Sequence, residues 1–133
     1  MKVIDKINLS GFLTGMSRGV VVLDENLIVL KDSLRDEHIK VIIPERFLTD
    51  DAIKHQLLSH RILITNNSAD FVEDATAIEY GIIATENIKF KDNLKLSKMI
   101  SKAIVKFDLW SHQSGFILTL QSDGKHDFKV LPR

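Results

Sequence analysis

Four short apolar runs, separated by stretches whose apolar residues recur at helical spacing, most restrict what this chain can fold into. The first run, Gly19-Val20-Val21-Val22-Leu23, is continuous and β-branched, as expected of a strand covered on both faces. The others are Ile39-Lys40-Val41-Ile42-Ile43, closed by Pro44, then Arg61-Ile62-Leu63-Ile64-Thr65, then Ile82-Ile83-Ala84-Thr85. Between them come Leu27, Leu30 and Leu34, a helix start at Thr49-Asp50-Asp51 followed by Ile53, Leu57 and Leu58, and a helix expected from Ala69 to Tyr80 and ended by Gly81. Strands alternating with helices predict an α/β fold, a three-layer sandwich around a mainly parallel central sheet. A longer helix is expected from Asp92 to Trp110, with Leu96, Met99, Ile100, Ala103, Ile104 and Phe107 inward. The tail alternates as a C-terminal β-hairpin does, with Phe116 to Leu120, a turn at Ser122-Asp123-Gly124-Lys125, and Phe128-Lys129-Val130.

A chain of 133 residues is long enough for one hydrophobic core and short for two, so residues 1–133 read as one domain. Residues 1–18 read as a lead-in packed on it. The 18 basic and 18 acidic residues balance, so total charge points to neither a nucleic acid nor a membrane. The absence of cysteine excludes disulfides, thiolate metal sites and a cysteine nucleophile, and fits a reducing compartment. Met1-Lys2-Val3-Ile4-Asp5-Lys6-Ile7 carries no long apolar run, so neither a signal peptide nor a membrane span is expected and the expected location is cytoplasmic.

In sheets of this kind ligands bind beyond the carboxyl ends of the strands, near a topological switch point. Acids recur at those places: Asp24 and Glu25 after the first strand, Asp50 and Asp51 after the second, Asp70 after the third, with Asn66 and Asn67 beside it. Oxygen ligands without cysteine suit a hard divalent cation, Mg²⁺ or Mn²⁺. Structural roles compete for the same residues. Asp50 and Asp51 suit a helix N-terminus, Asp24 or Asn26 an N-cap, and Asp70 with Glu73 has the spacing of a capping box.

Lys91, Lys95, Lys98, Lys102 and Lys106 stack on one face of the long helix, where they suit either an RNA backbone or simple solvation. No aromatic residues interleave with them to stack on bases. His38, His55, His60, His112 and His126 show no catalytic or ligand spacing and are expected at the surface.

Leu23-Asp24-Glu25-Asn26-Leu27 resembles the D-E-N-L segment that opens a branch of the PIN-like nuclease superfamily. Thr49-Asp50-Asp51-Ala52-Ile53 resembles the short acidic helix start of that branch, and Arg61 to Phe71 its strand-to-acid segment, I-L-(V/I)-T-x-D-x-D-F. The likeness runs in order from residue 20 to about residue 85. It implies a PIN-like fold and a Mg²⁺- or Mn²⁺-dependent ribonuclease, of toxin type with an antitoxin protein as partner and RNA as substrate. Carried over, Asp24 is the principal metal ligand, Asp70 the second, and Asp51 and Glu25 are supporting acids. One departure is plain: Asn67 stands where the family places an aspartate, and one extra residue precedes Asp70. An amide coordinates through its oxygen but brings no charge and is a poor base.

Two other functions compete. A PIN-like domain that has lost catalysis and serves as a binding or assembly module is favoured by Asn67. A receiver-like signalling domain would share the Asp24-Glu25 pair, but it needs an aspartate at the end of the third strand, where this chain has Thr65-Asn66-Asn67. Phe116, Leu118 and Leu120 suit a homodimer contact or, equally, a hairpin that covers its own sheet.

Overall fold

The computed structural model describes residues 20–46, 48–112 and 115–132. The lead-in expected at residues 1–18 lies outside them. Strand β1 (Val20–Leu23) runs into a 3-10 helix, Glu25–Leu30, which continues as α1 (Lys31–Asp36). Then follow β2 (Lys40–Ile42), α2 (Asp50–Leu57), β3 (Ile62–Thr65), a 3-10 turn at Ser68–Asp70, α3 (Ala75–Ile78) and β4 (Gly81–Ala84). The long helix α4 (Asn93–Lys106), a 3-10 turn at Leu109–Ser111, β5 (Phe116–Leu120) and β6 (His126–Val130) complete the chain.

The six strands form one sheet in the order β2-β1-β3-β4-β5-β6. All neighbours are parallel except β5 and β6, which pair antiparallel with Phe116 opposite Val130 and Leu120 opposite His126. Helices cover both faces of it. Alternate strand residues divide into two cores, as the period of two in a strand requires. Val21, Leu23, Ile62, Ile64, Ile83, Phe116, Leu118 and Leu120 pack with Leu30 and Leu34 and with Leu96, Ile100, Ala103 and Ile104 of α4. Val22, Leu63, Ile82 and Ala84 pack with Leu58, Phe71, Ala75 and Tyr80 on the other face. Each fully buried aliphatic side chain contributes roughly 1.5–3 kcal/mol. Phe116, Leu118 and Leu120 are therefore interior residues of their own chain, not a dimer surface.

Two helices start where the sequence suggests, at Thr49-Asp50-Asp51 and near Asp92. The Thr49 hydroxyl accepts from the Ala52 amide to open α2, and Asp92 accepts from the Lys95 amide to open α4. Capping at α2 thus falls to Thr49, with Asp50 and Asp51 in the first turn. Ser33 and Ser97, both buried, share a hydrogen bond of 2.6 Å that fixes α1 against α4.

The helix expected from Ala69 to Tyr80 is instead a 3-10 turn, a loop and the single turn α3. The cause is tertiary: the buried Tyr80 hydroxyl donates to the Phe71 carbonyl, taking the acceptor that a continuous helix would use. Gly81 does not end that helix either. Glu79 does, in the left-handed conformation with φ 67°, while Gly81 opens β4. A Cβ on Gly81 would lie 2.0 Å from the Phe116 ring, so only glycine lets β5 approach. The inward face of α4 is narrower than expected, since Met99 and Phe107 are only half-buried. His112 and His126 leave the surface role assigned to all five histidines: they pack among Phe107, Phe116 and Phe128.

Candidate functional site

The chain steps from β1 to β2 on one side and then to β3 on the other, which makes the carboxyl ends of β1 and β3 a topological switch point. Asp24 stands there. Its amide donates to the Ile64 carbonyl at 3.0 Å, carrying the β1–β3 ladder one residue beyond β1. Although Asp24 occupies the N-cap position of the 3-10 helix, its side chain makes no capping bond. The carboxylate instead accepts from the Thr65 hydroxyl at 2.7 Å.

Thr65 is fully buried at the end of β3, and its hydroxyl has a second task. It accepts from the Asn67 amide at 3.0 Å, and the Asn67 side-chain amide donates to Asp70 at 2.6 Å. Asp24, Thr65, Asn67 and Asp70 thus form one hydrogen-bonded chain across the strand ends. Asp70 ends the 3-10 turn and its carboxylate bonds Asn67, so it is not the first half of a capping box.

A further acid lies alongside. Thr65 and Ala84 are register partners, and just beyond these strand ends Glu86 meets Ser68. The Glu86 carboxylate accepts from both the hydroxyl and the amide of Ser68. The sequence signal for it was available: Thr85-Glu86-Asn87 follows the fourth strand as Asp24-Glu25-Asn26 follows the first.

The other expected site residues are not joined to this chain. Glu25 is exposed in the first turn of the 3-10 helix. Asp51 is exposed on α2, where with Asp50 it adds to the negative field on Lys54. Lys54 is mostly buried, bonded to Asp74 at 3.0 Å and set over the Phe71 ring, and that bond chiefly holds its pKa above the usual lysine value. Among the described residues, no three histidine, aspartate or glutamate side chains are grouped closely enough to hold a metal ion. The oxygen donors at the switch point are two carboxylates and an amide.

Four of the five lysines expected on one helix face lie on α4, and Lys91 precedes its Asp92 cap. Lys91, Lys95, Lys98 and Lys102 are all exposed; Lys95 lies over the Phe90 ring and Lys98 bonds Glu37 at 3.2 Å. The helix α4 follows β4, so it starts at the end of the sheet where the strands have their carboxyl ends. The loop that leads to it is tied to the β5–β6 turn by Ser122, which accepts from the Lys89 amide and donates to the Asn87 carbonyl.

No helix among the described residues is long and apolar enough to cross a membrane. Compared with protein-family models, with curated proteins and with solved structures, the chain has no match.

Proposed function

We propose that the chain is a PIN-like metal-dependent ribonuclease whose site is the edge formed by Asp24, Asn67 and Asp70, with Asp51, Glu25 and Glu86 as outlying acids. The observation that carries this reading is the Asp24 carboxylate, which sits at the switch point and is spent on Thr65 rather than on a helix cap. The donor set fits a hydrated Mg²⁺ or Mn²⁺, since Mg²⁺ keeps several waters and takes one or two carboxylates together with substrate phosphate. Such an ion supplies polarisation of the phosphodiester and a more acidic water. Of the chain's own groups, Asp24 is the positioned ligand, Thr65 holds its rotamer, and Asn67 keeps Asp70 beside it. The exposed lysines of α4 neutralise phosphates of single-stranded RNA.

The second reading, a PIN-like module kept for binding or assembly, is favoured by the Asn67–Asp70 bond, which engages the second carboxylate with an amide in place of a third acid. An antitoxin-type protein or a second copy of the chain would then be the partner.

Labelled single-stranded RNA incubated with Mn²⁺, Mg²⁺ or EDTA, for the wild type and Asp24→Asn, separates the two. The nuclease reading requires metal-dependent cleavage that the variant lacks. Intact RNA in every lane, with no metal-dependent thermal shift, leaves the binding module.

A further inference from the structure

A small cavity lies at the other end of α4 from the acids. It has a volume of about 160 Å³ and is lined by Glu37, His38, Ile39, Ser101, Val105 and Trp110, with Ile104 at its base. That is well below the roughly 300–1,000 Å³ of sites for drug-sized ligands, so it admits one ring system and not a whole nucleotide. Its wall is mixed: an indole, an imidazole, a hydroxyl and a carboxylate line the same space as three aliphatic side chains. This is the composition that holds a planar heterocycle by stacking and by hydrogen bonds to its edge.

The lysine stripe reaches this cavity. At 3.6 residues per turn, Lys95, Lys98, Lys102 and Lys106 fall within an arc of about 80°, with Val105 at its edge and Ser101 beyond it, while Lys91 precedes the Asp92 cap. Lys98 is physically connected to it, because its ammonium bonds Glu37, which also neutralises that carboxylate at the cavity wall. Val105 is 78% exposed and Leu94 is 62% exposed, so the same flank carries apolar surface beside the cations. The rim is set by backbone bonds. His38 and Ile39 donate back to the Arg35 and Leu34 carbonyls at the end of α1, with His38 held at φ 64°. In that left-handed position glycine would be cheaper, yet the chain places an imidazole there.

We propose that this cavity receives an unstacked base of single-stranded RNA whose phosphates run along the α4 lysines toward the acidic edge. The proposal rests on the ribonuclease reading for the identity of the ligand, but it concerns a separate place on the molecule. It gives the stripe a direction: the backbone is held by Lys102, beside the Lys98–Glu37 pair, and one base is anchored against Trp110, leaving the strand to continue past Lys95 and Lys91. Duplex RNA does not fit, because its bases are paired and its strands are too wide for one base to reach the indole.

Trp110 is the one tryptophan of the chain, so its intrinsic fluorescence reports on the cavity directly. The titration uses full-length protein, a short unstructured oligoribonucleotide and EDTA, which prevents cleavage. Single-stranded RNA is expected to quench the emission, and the matching duplex is expected to leave it unchanged. Ser101→Leu fills the cavity from the helix surface without touching the core and should weaken binding roughly 5- to 150-fold, the value of one lost base stack. Lys102→Ala should lower the slope of log affinity against log salt by about 0.7. RNA that binds with no change in emission, or equally well to Ser101→Leu, overturns the base pocket while leaving the nuclease reading intact. Quenching without any metal-dependent cleavage supports the pocket and removes the nuclease reading. Quenching by an acidic peptide or an anionic vesicle, with none by RNA, overturns the proposal in favour of that other partner.

Discussion

Thr65, buried at the end of β3, holds the Asp24 carboxylate at 2.7 Å across the gap between β1 and β3. The same hydroxyl oxygen accepts from the Asn67 amide, so one atom sets the position of both residues. Thr65→Val keeps the shape and removes that atom. It is expected to destabilise the fold by about 1–3 kcal/mol, measured by urea unfolding, because the Asn67 amide loses its acceptor. If RNA is cleaved, the rate should also fall roughly 10- to 100-fold, as when an outer partner of a metal ligand is removed. Cleavage at the wild-type rate in a folded Thr65→Val would show that Asp24 needs no positioning.

On the acid side, His126 is expected to govern part of the stability. It packs edge-on to Phe107 at 5.8 Å between ring centroids, and burial, then the nearby Lys106 charge, lowers its pKa from the usual 6.5. The unfolded chain takes the proton first, so the contribution is present above pH 6.5 and is lost as pH falls below it. Melting temperatures between about pH 7 and 5 should decline less steeply in His126→Gln than in the wild type. Parallel slopes would assign the decline to the carboxylates.

Alkaline unfolding has two named sources. Lys54 has its pKa raised by the bond to Asp74, and Tyr80 has its pKa raised well above the usual value by burial, then by the Asp74 charge. Both groups keep their protons longer when folded, so both contributions are present at neutral pH and are lost as pH rises past about 10. Asp74→Asn leaves the mostly buried ammonium without its charged partner and should cost about 1–3 kcal/mol at neutral pH. Tyr80→Phe should cost a similar amount by orphaning the Phe71 carbonyl, and should shift the onset of alkaline unfolding upward. Chemical denaturation across the pH range reads all three variants.

Gly81→Ala tests the closest approach in the sheet. The added methyl would meet the Phe116 ring at 2.0 Å, and that ring is itself packed by Phe128 and His112. Overpacking here should cost about 1–3 kcal/mol or more. Gly81→Ala combined with Phe116→Leu, which retracts the ring, should recover part of the loss in a double-mutant cycle.

The parts of the fold visible in the sequence are those decided locally. Val20 to Leu23, Ile62 to Thr65 and Ile82 to Ala84 read as buried strands because their apolar runs are unbroken, and Thr49-Asp50-Asp51 reads as a helix start because its signals lie within one turn. What escaped depends on distant partners. The break before α3 requires Tyr80 to meet Phe71, and the need for Gly81 comes from Phe116, far along the chain. The candidate site divides in the same way. Asp24, Asn67 and Asp70 were legible from their places after strands, as Glu86 is from its place after β4, whereas Thr65 as a link and the pairing of Glu86 with Ser68 emerge only from the register of β1, β3 and β4. The short strand β2 lies at the edge, and nothing among the described residues bonds Asp51, on the helix after it, to the central acids.

The central strand β4 has β5 as its neighbour, and Phe116, Leu118 and Leu120 of β5 complete the core beneath α4. During synthesis the ribosome delivers those residues last of all the buried strand residues. Until they emerge, β4 offers a bare row of amides and carbonyls beside an unfilled apolar face, which is a template for pairing with another chain. A message truncated before Leu120 should therefore yield aggregates and not a merely weakened protein.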